Sequence, residues 1–461
     1  MSESVEAAEK NSVEEQSVFE GFTVDQRKKF NRWQVRTILL SILGYAMFYF
    51  VRKNLSVSMP YISQDLGFTK TDFGMILTLH GLVYGLSKFI NGMWGDRSNA
   101  RVFLVVGLTM TAVCNICFGF SSSLLFLGIF WVLNGWFQGM GVPPCTRLMT
   151  HWVPPYQLAT KMSIWNTSHS IGAGLALVFC GYIVSADWSA TTGISQWRLC
   201  FFLPACVVLV VALVVWLLIR DTPKSVGLPE MNLSTTKAEA AASSAVSQEE
   251  KAAEKAEHHA FVMKHVFLNK NIWIIALGNF FLYTVRFTIL DWGPTMLKEH
   301  FNMNISSAAW LVTAFEIFGL MGMLVAGYVT DHVFKGRAPR TCVICMSMVA
   351  VCAFVLWRLT PDSPKILIVI VLALAGFFVY GPQALVGIAA ANYGTSRAAA
   401  TAGGFCGLFG YGSTIVSGIV VGKVVESSGW GTALSLLIGL ALVSAIIFSL
   451  AWKAKATGYE E

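Results

Sequence analysis

The chain has 461 residues, 55% of them hydrophobic and 13% charged, with a mean hydropathy of +0.60. An average soluble domain is roughly 25% charged, so this composition excludes a string of soluble domains and points to a protein dissolved in the lipid bilayer. The net charge of +7 does not imply a nucleic-acid partner, because Lys and Arg fall where membrane topology places them.

The first 25 residues are polar and acid-rich and have no short apolar core. They do not read as a cleaved signal, and the first span is expected to remain as an anchor. Beyond them, runs without Asp, Glu, Lys or Arg extend from 102 to 146, 162 to 186, 199 to 219, 366 to 396, 398 to 422 and 427 to 452. Each holds one or two spans of about 20 residues. The pattern predicts twelve helices, over about 35–58, 72–95, 102–121, 123–147, 161–186, 196–219, 271–297, 305–333, 340–358, 364–389, 396–423 and 429–453. The fold class is therefore all-α membrane protein. A segment 1–34 precedes a six-helix bundle 35–219, a linker 220–270 leads to a second bundle 271–453, and a tail 454–461 follows. Basic residues such as Arg27, Lys28, Lys29, Arg147, Lys161, Arg340 and Lys453 cluster on one side, which predicts cytoplasmic termini. The linker, poor in aromatics and rich in Ala, Ser, Glu and Lys, reads as flexible or partly helical.

The first span carries Arg52 and Lys53 deep in an apolar stretch, where charge needs a reason. Tyr-x-Val-Arg occurs at Tyr49–Arg52 and again at Tyr283–Arg286, 234 residues later. A Gly four residues before an Asp occurs at Gly92/Asp96 and at Gly327/Asp331, 235 residues later. Two unrelated patterns sharing nearly one offset indicate a duplicated six-helix unit, which places Arg52 and Arg286 as pseudo-symmetric partners facing one central cavity. Cys114 with Cys117 and Cys342 with Cys345 have the CxxC spacing of redox or metal pairs but lie in apolar runs, where they read as small fillers.

GMWGDRSNAR (92–101) and GYVTDHVFKGR (327–337) resemble the paired loop signatures of the major facilitator superfamily. GYAMFYFVRKN (44–54), GWFQGMGVPPC (135–145), WNTSHSIGAG (165–174), RDTPKSVGLP (220–229), YTVRFTILDWGPTMLKE (283–299) and GFCGLFGY (404–411) resemble, more narrowly, its organophosphate:phosphate antiporter family. The similarity runs from about 25 to 453. It implies a major facilitator fold of two pseudo-symmetric six-helix bundles that exchanges an organic phosphate for inorganic phosphate as a monomer in the inner membrane. No ATP site, metal or cofactor is implied, and the chain is not expected to be an enzyme.

The family's two essential arginines match Arg52 and Arg286. Its histidine of the fifth helix matches His169, its lysine of the second helix Lys88, and its pocket aromatics and amides Tyr45, Tyr49, Tyr283, Trp165, Asn166 and Tyr380. The chain departs from the family at Val142, where glycerol-phosphate carriers tend to have Trp. Gly403 and Cys406 stand where hexose-phosphate carriers have Asp and Lys. FVYGPQALVG (378–387) resembles the hexose-phosphate branch, ILDWGPTMLKE and GFCGLFGY the glycerol-phosphate branch; the smaller Val142 tips the reading slightly towards a hexose 6-phosphate. The family also contains a sugar-phosphate sensor of the same fold that acts through a membrane kinase, which is the alternative reading.

Guanidinium suits a phosphoryl group because its rigid fork donates bidentately and stays charged when desolvated. Two arginines nearly balance a phosphate dianion. Spacings of three or four residues set Tyr45, Tyr49 and Arg52, Tyr283 and Arg286, Trp165 and His169, and Tyr84 and Lys88 each on one helix face. Lys53, one position round, is expected to point elsewhere, snorkelling or pairing; His80 is expected to pack. Glu316 reads as a buried charge partner for the basic cluster. Asp96, Arg97 and Arg101, with Asp331, Lys335 and Arg337, read as gating hinges at helix ends. Gly403, Gly404, Gly407, Gly410 and Gly412, and Gly172 with Gly174, suit close helix contact.

Overall fold

The computed structural model describes residues 18–95, 98–186, 193–231, 257 and 259–454. Helix α1 (Val24–Phe50) starts at a reciprocal cap in which Gln26 N–H donates to Thr23 Oγ1 and Thr23 N–H to Gln26 Oε1. The first span resumes after Val51–Lys53 as α2 (Asn54–Leu66). Next come α3 (Lys70–Gly95) and α4 (Ala100–Phe120). The fourth span is α5 (Leu124–Gln138) with α6 (Val142–Trp152), the fifth α7 (Pro155–Asn166) with α8 (Ser168–Ser185), and the sixth α9 (Gln196–Leu218). The second half consists of α10 (Lys270–His300), α11 (Ile305–His332), α12 (Ala338–Arg358), α13 (Lys365–Gly412) and α14 (Val421–Ser449), the last two joined by a π turn at Val416–Val420.

At 48 residues α13 would be about 72 Å long, more than twice a hydrocarbon core of about 30 Å. It breaks at Thr395 (φ 59°). Likewise α14 breaks at Gly429 (φ 78°), a left-handed conformation that glycine adopts without a Cβ clash. Counting these breaks, the described residues form twelve spans long enough to cross the apolar layer, six in each half. Side chains such as Phe89, Val210 and Leu324, all more than 60% exposed, form the surface turned to lipid.

The helices expected over 35–58, 123–147 and 161–186 are each interrupted inside the membrane. Buried amides make this possible at the first break, since non-helical backbone at that depth must find partners within the protein. Asn115 Nδ2 donates to the Val51 carbonyl at 3.0 Å, and Gln138 Nε2 donates to the Phe48 carbonyl at 2.7 Å. Asn54 Nδ2 reaches Asn115 Oδ1 at 2.8 Å and the Cys200 carbonyl at 3.0 Å. Arg52 and Lys53 are thus carried on a pinned turn, not on a regular helix as the spacing argument supposed.

With an even number of spans per half, the described chain ends lie on one face, here the terminal face. The halves meet on the opposite, far face. There Lys70 pairs with Glu299 at 3.2 Å, Thr71 N–H donates to Glu426 at 3.0 Å, and Thr78 Oγ1 donates to the Thr414 carbonyl at 2.8 Å. A Cβ on Gly74 would stand 2.5 Å from the Gly418 carbonyl oxygen, so this seam is backbone against backbone. The expected tight packing holds at Gly172, against Ala46, and at Gly174, against Thr313 of the other half. It fails at Gly403, Gly404 and Gly407, where a Cβ would meet nothing within 4 Å. Those three lie towards the terminal side.

On that side, residues 220–231 fold back onto the first half. Asp221 accepts from Ala100 N–H at 2.8 Å and pairs with Arg147, while Lys29 Nζ donates to the Val226 carbonyl at 2.8 Å. Phe19, Phe22, Phe30, Trp33 and Trp152 form an aromatic cluster beside this cap. Most of the remaining linker, 232–256 and 258, lies outside the described residues, as do residues 1–17 and 455–461.

Candidate functional site: a cationic cavity between the halves

Between the halves lies a cavity of about 170 Å³ lined by Tyr45, Tyr49, Arg52, Lys53, Tyr84, Lys88, Asn166, His169, Tyr283, Arg286, Phe287, Leu290, Glu316, Gln383 and Tyr411. One water needs roughly 10–15 Å³ on this measure, so the space admits a ligand of many heavy atoms. Eight of the ten residues expected to bind substrate face it. The other two stand directly behind: Trp165 stacks on Tyr45 with centroids 4.6 Å apart, and Tyr380 Oη accepts a hydrogen bond from Arg286 Nη2 at 3.0 Å.

The two arginines enter from opposite halves into aromatic settings. Arg52 Cζ lies 4.3 Å from the Tyr84 ring centroid, and Arg286 Cζ lies 4.7 Å from that of Tyr380. Cation–π contact of this kind stabilises a desolvated guanidinium without consuming its in-plane N–H donors. Arg286 Nε has no hydrogen-bond partner among the described residues. Lys88 Nζ donates to Tyr411 Oη at 3.2 Å, across the two halves. Tyr49 lies within Coulombic reach of Arg52, Arg286 and Lys88 together, which places all three cations around one space.

Lys53 makes the pairing expected of it, but it does not point away from the site. It lines the cavity, only 5% exposed, and its Nζ pairs with Asp291 of the other half at 2.5 Å. Asp291 lines an adjoining recess of about 20 Å³ with Arg52 and His80. His80 packs as expected, its ring stacked on Trp131 and Nδ1 bonded to the Trp131 carbonyl at 2.9 Å. Glu316, 2% exposed, lies in the cavity wall within Coulombic reach of Arg286 and His169. Four cations, Arg52, Lys53, Lys88 and Arg286, are set against two carboxylates, Asp291 and Glu316. With His169 neutral the net charge is +2.

His169 Nδ1 donates to the Asn166 carbonyl, since a carbonyl oxygen only accepts. The neutral ring therefore presents an Nε2 lone pair, and Nε2 is buried without a partner among the described residues. Glu316 Oε2 and Gln383 Oε1 are also buried without a partner among the described residues.

The expected gating residues lie elsewhere. Asp96 and Arg97 fall outside the described residues. Arg101 covers the Trp216 ring at 4.2 Å. Asp331 and Lys335 are exposed and Arg337 half-buried at the terminal face. Sequence reasoning missed Gln383, Phe287, Leu290, Tyr411 and Asp291. The available signals were an amide inside the charge-free run 366–396 and a lone acid near the end of an apolar helix.

The family model described as Major Facilitator Superfamily matches residues 41–418 and 275–459. The chain belongs to the Major Facilitator Superfamily. It is 36% identical over 432 residues to a protein of Chlamydia trachomatis named probable hexose phosphate transport protein, covering 93% of each chain. It is 35% identical to the glycerol-3-phosphate transporter of Bacillus subtilis, covering 92% of this chain and 93% of that one. It is also 35% identical to the membrane sensor protein UhpC of Escherichia coli, at 92% and 93% coverage. A crystal structure of a bacterial homologue of the human lysosomal transporter Spinster, inward-facing and unoccupied, superposes with a TM-score of 0.72 at 16% identity over 91% of this chain and 97% of that one. The protein is a multi-pass membrane transporter with the major facilitator fold.

Proposed function

We propose that the protein exchanges an organic phosphate ester for inorganic phosphate by alternating access in the inner membrane, both termini cytoplasmic, as a monomer. The observation that carries this reading is the +2 cavity in which Arg52 and Arg286 enter from opposite halves. A phosphoryl group brings up to two negative charges and three acceptor oxygens, which suits two guanidinium groups whose other neighbours are mostly aromatic rings. The relatives named for hexose phosphate and glycerol-3-phosphate support the class of ester. Tyr45, Tyr49, Tyr283 and Lys88 shape and charge the wall. His169 Nε2 accepts from a protonated phosphoryl oxygen, or donates once the ring itself is protonated. Arg101, Asp331, Lys335 and Arg337 engage only when the terminal face closes.

Obligate exchange follows from the charge. An empty cavity holds two uncompensated positive charges, and a charge at mid-membrane costs on the order of 2.5–3.5 kcal/mol on insertion scales. Closing around them is slow, and a bound phosphate dianion removes the barrier. In proteoliposomes loaded with phosphate, labelled phosphate should enter by counterflow, with little net efflux into phosphate-free buffer. Arg52→Lys and Arg286→Lys should each lower exchange at least tenfold, because a point charge cannot replace the fork. Rapid net efflux would overturn obligate exchange, and near-normal activity of both variants would overturn bidentate recognition. Similarity to a membrane sensor protein supports a second reading, a phosphate-ester receptor; saturable binding without counterflow would favour it.

A further inference from the structure

We propose that Gln383 is a specificity-determining residue that reads a hydroxyl on the carbon tail of the transported ester. This rests on the phosphate-ester reading above and goes further, by assigning the part of the cavity that does not hold phosphate.

The cavity's polar groups are of two kinds. The cationic groups Arg52, Arg286 and Lys88 are donors, and a phosphoryl dianion, which only accepts, satisfies them. Glu316 Oε2 and Gln383 Oε1 are buried acceptors without a partner among the described residues, and His169 Nε2 joins them while the ring is neutral. Neither a phosphate dianion nor an alkyl chain can donate to them. A buried acceptor left unmade is costly, so the acceptor group is matched by a ligand that brings O–H donors. A hydroxyl also accepts, so it pairs with whichever end of the Gln383 amide faces it.

Placement agrees with chemistry. Tyr380, which holds Arg286 Nη2, lies three residues before Gln383 on α13. Three residues of helix rise about 4.5 Å and return to the same face. A phosphoryl group seated at Arg286 therefore has Gln383 one turn away, towards the terminal side, at a distance spanned by the carbon chain of a small phosphate ester.

The test is a ligand series on the full-length protein in phosphate-loaded proteoliposomes. Inhibition of labelled phosphate counterflow is measured for glucose 6-phosphate, each of its singly deoxygenated derivatives, and propyl phosphate. For the wild type, at least one deoxy derivative should bind about tenfold more weakly than its parent, the effect of one buried hydrogen bond left unmade. In Gln383→Leu that ratio should fall to near one, while Gln383→Asn retains part of it. A ratio unchanged in Gln383→Leu, or no deoxy derivative weaker than its parent in the wild type, overturns the assignment. The wild-type series stands even if the variants fail to fold. Absence of phosphate counterflow in the wild type would instead remove the exchange reading beneath it.

Discussion

At the residue scale, the phosphate end of the cavity depends on how Arg286 is aimed. Its only hydrogen bond among those described is to Tyr380 Oη, and the same ring lies beneath the guanidinium. Tyr380→Phe keeps the ring and removes the hydroxyl. Exchange kinetics should show the KM for phosphate raised about two- to tenfold, the worth of about 0.5–1.5 kcal/mol of hydrogen bonding, with the melting temperature little changed. The sequence made this region legible through the duplicated Tyr-x-Val-Arg, because charge in an apolar run is rare enough to stand out. It did not reveal Gln383, since one neutral amide in a span resembles the many whose hydrogen bonds only hold helices together, as those of Asn115 and Gln138 do here.

The elements show the same economy of polar groups. On the turn at Val51–Lys53, Arg52 lies over Tyr84 while Lys53 pairs with Asp291. Asn115→Leu removes the donor to the Val51 carbonyl and the acceptor for Asn54. Thermal unfolding in detergent should register a loss of about 1–3 kcal/mol per orphaned group, larger than a lipid-facing change such as Leu324→Ala. Charge-free apolar runs located the spans but not their interruptions, because a broken span keeps the same apolar composition. The residues that offset the first break, Asn115 and Gln138, sit on other helices, far away in sequence.

For the whole molecule, the seam at the far face decides which side of the membrane the cavity meets. Lys53–Asp291, Lys70–Glu299 and Thr71–Glu426 all cross it. Removing one partner of a buried pair costs about 3–5 kcal/mol in the state that contains it, a loss large enough to invert a two-state equilibrium. Asp291→Asn should shift the population towards opening at the far face, read as increased labelling of a cysteine introduced at Thr78 by a membrane-impermeant reagent. Gly74→Val should keep the seam from closing and reduce turnover more than tenfold, because the opposing atom is the Gly418 carbonyl and cannot swing aside. The duplicated halves and their shared cavity were legible in the sequence. Which face is shut was not, since both arrangements must be written into one chain.

The bare strip at Gly403, Gly404 and Gly407 has a consequence for timing. Surfaces without side chains attract one another only at close range, since dispersion forces fade within an ångström or so of optimal separation. If this strip forms the second seal, half-closed arrangements gain almost nothing from it, and the carrier should snap between its two orientations with few stopping points. Gly407→Leu would act as a doorstop: single-molecule fluorescence should then record lingering intermediate distances that the unaltered protein passes through unseen.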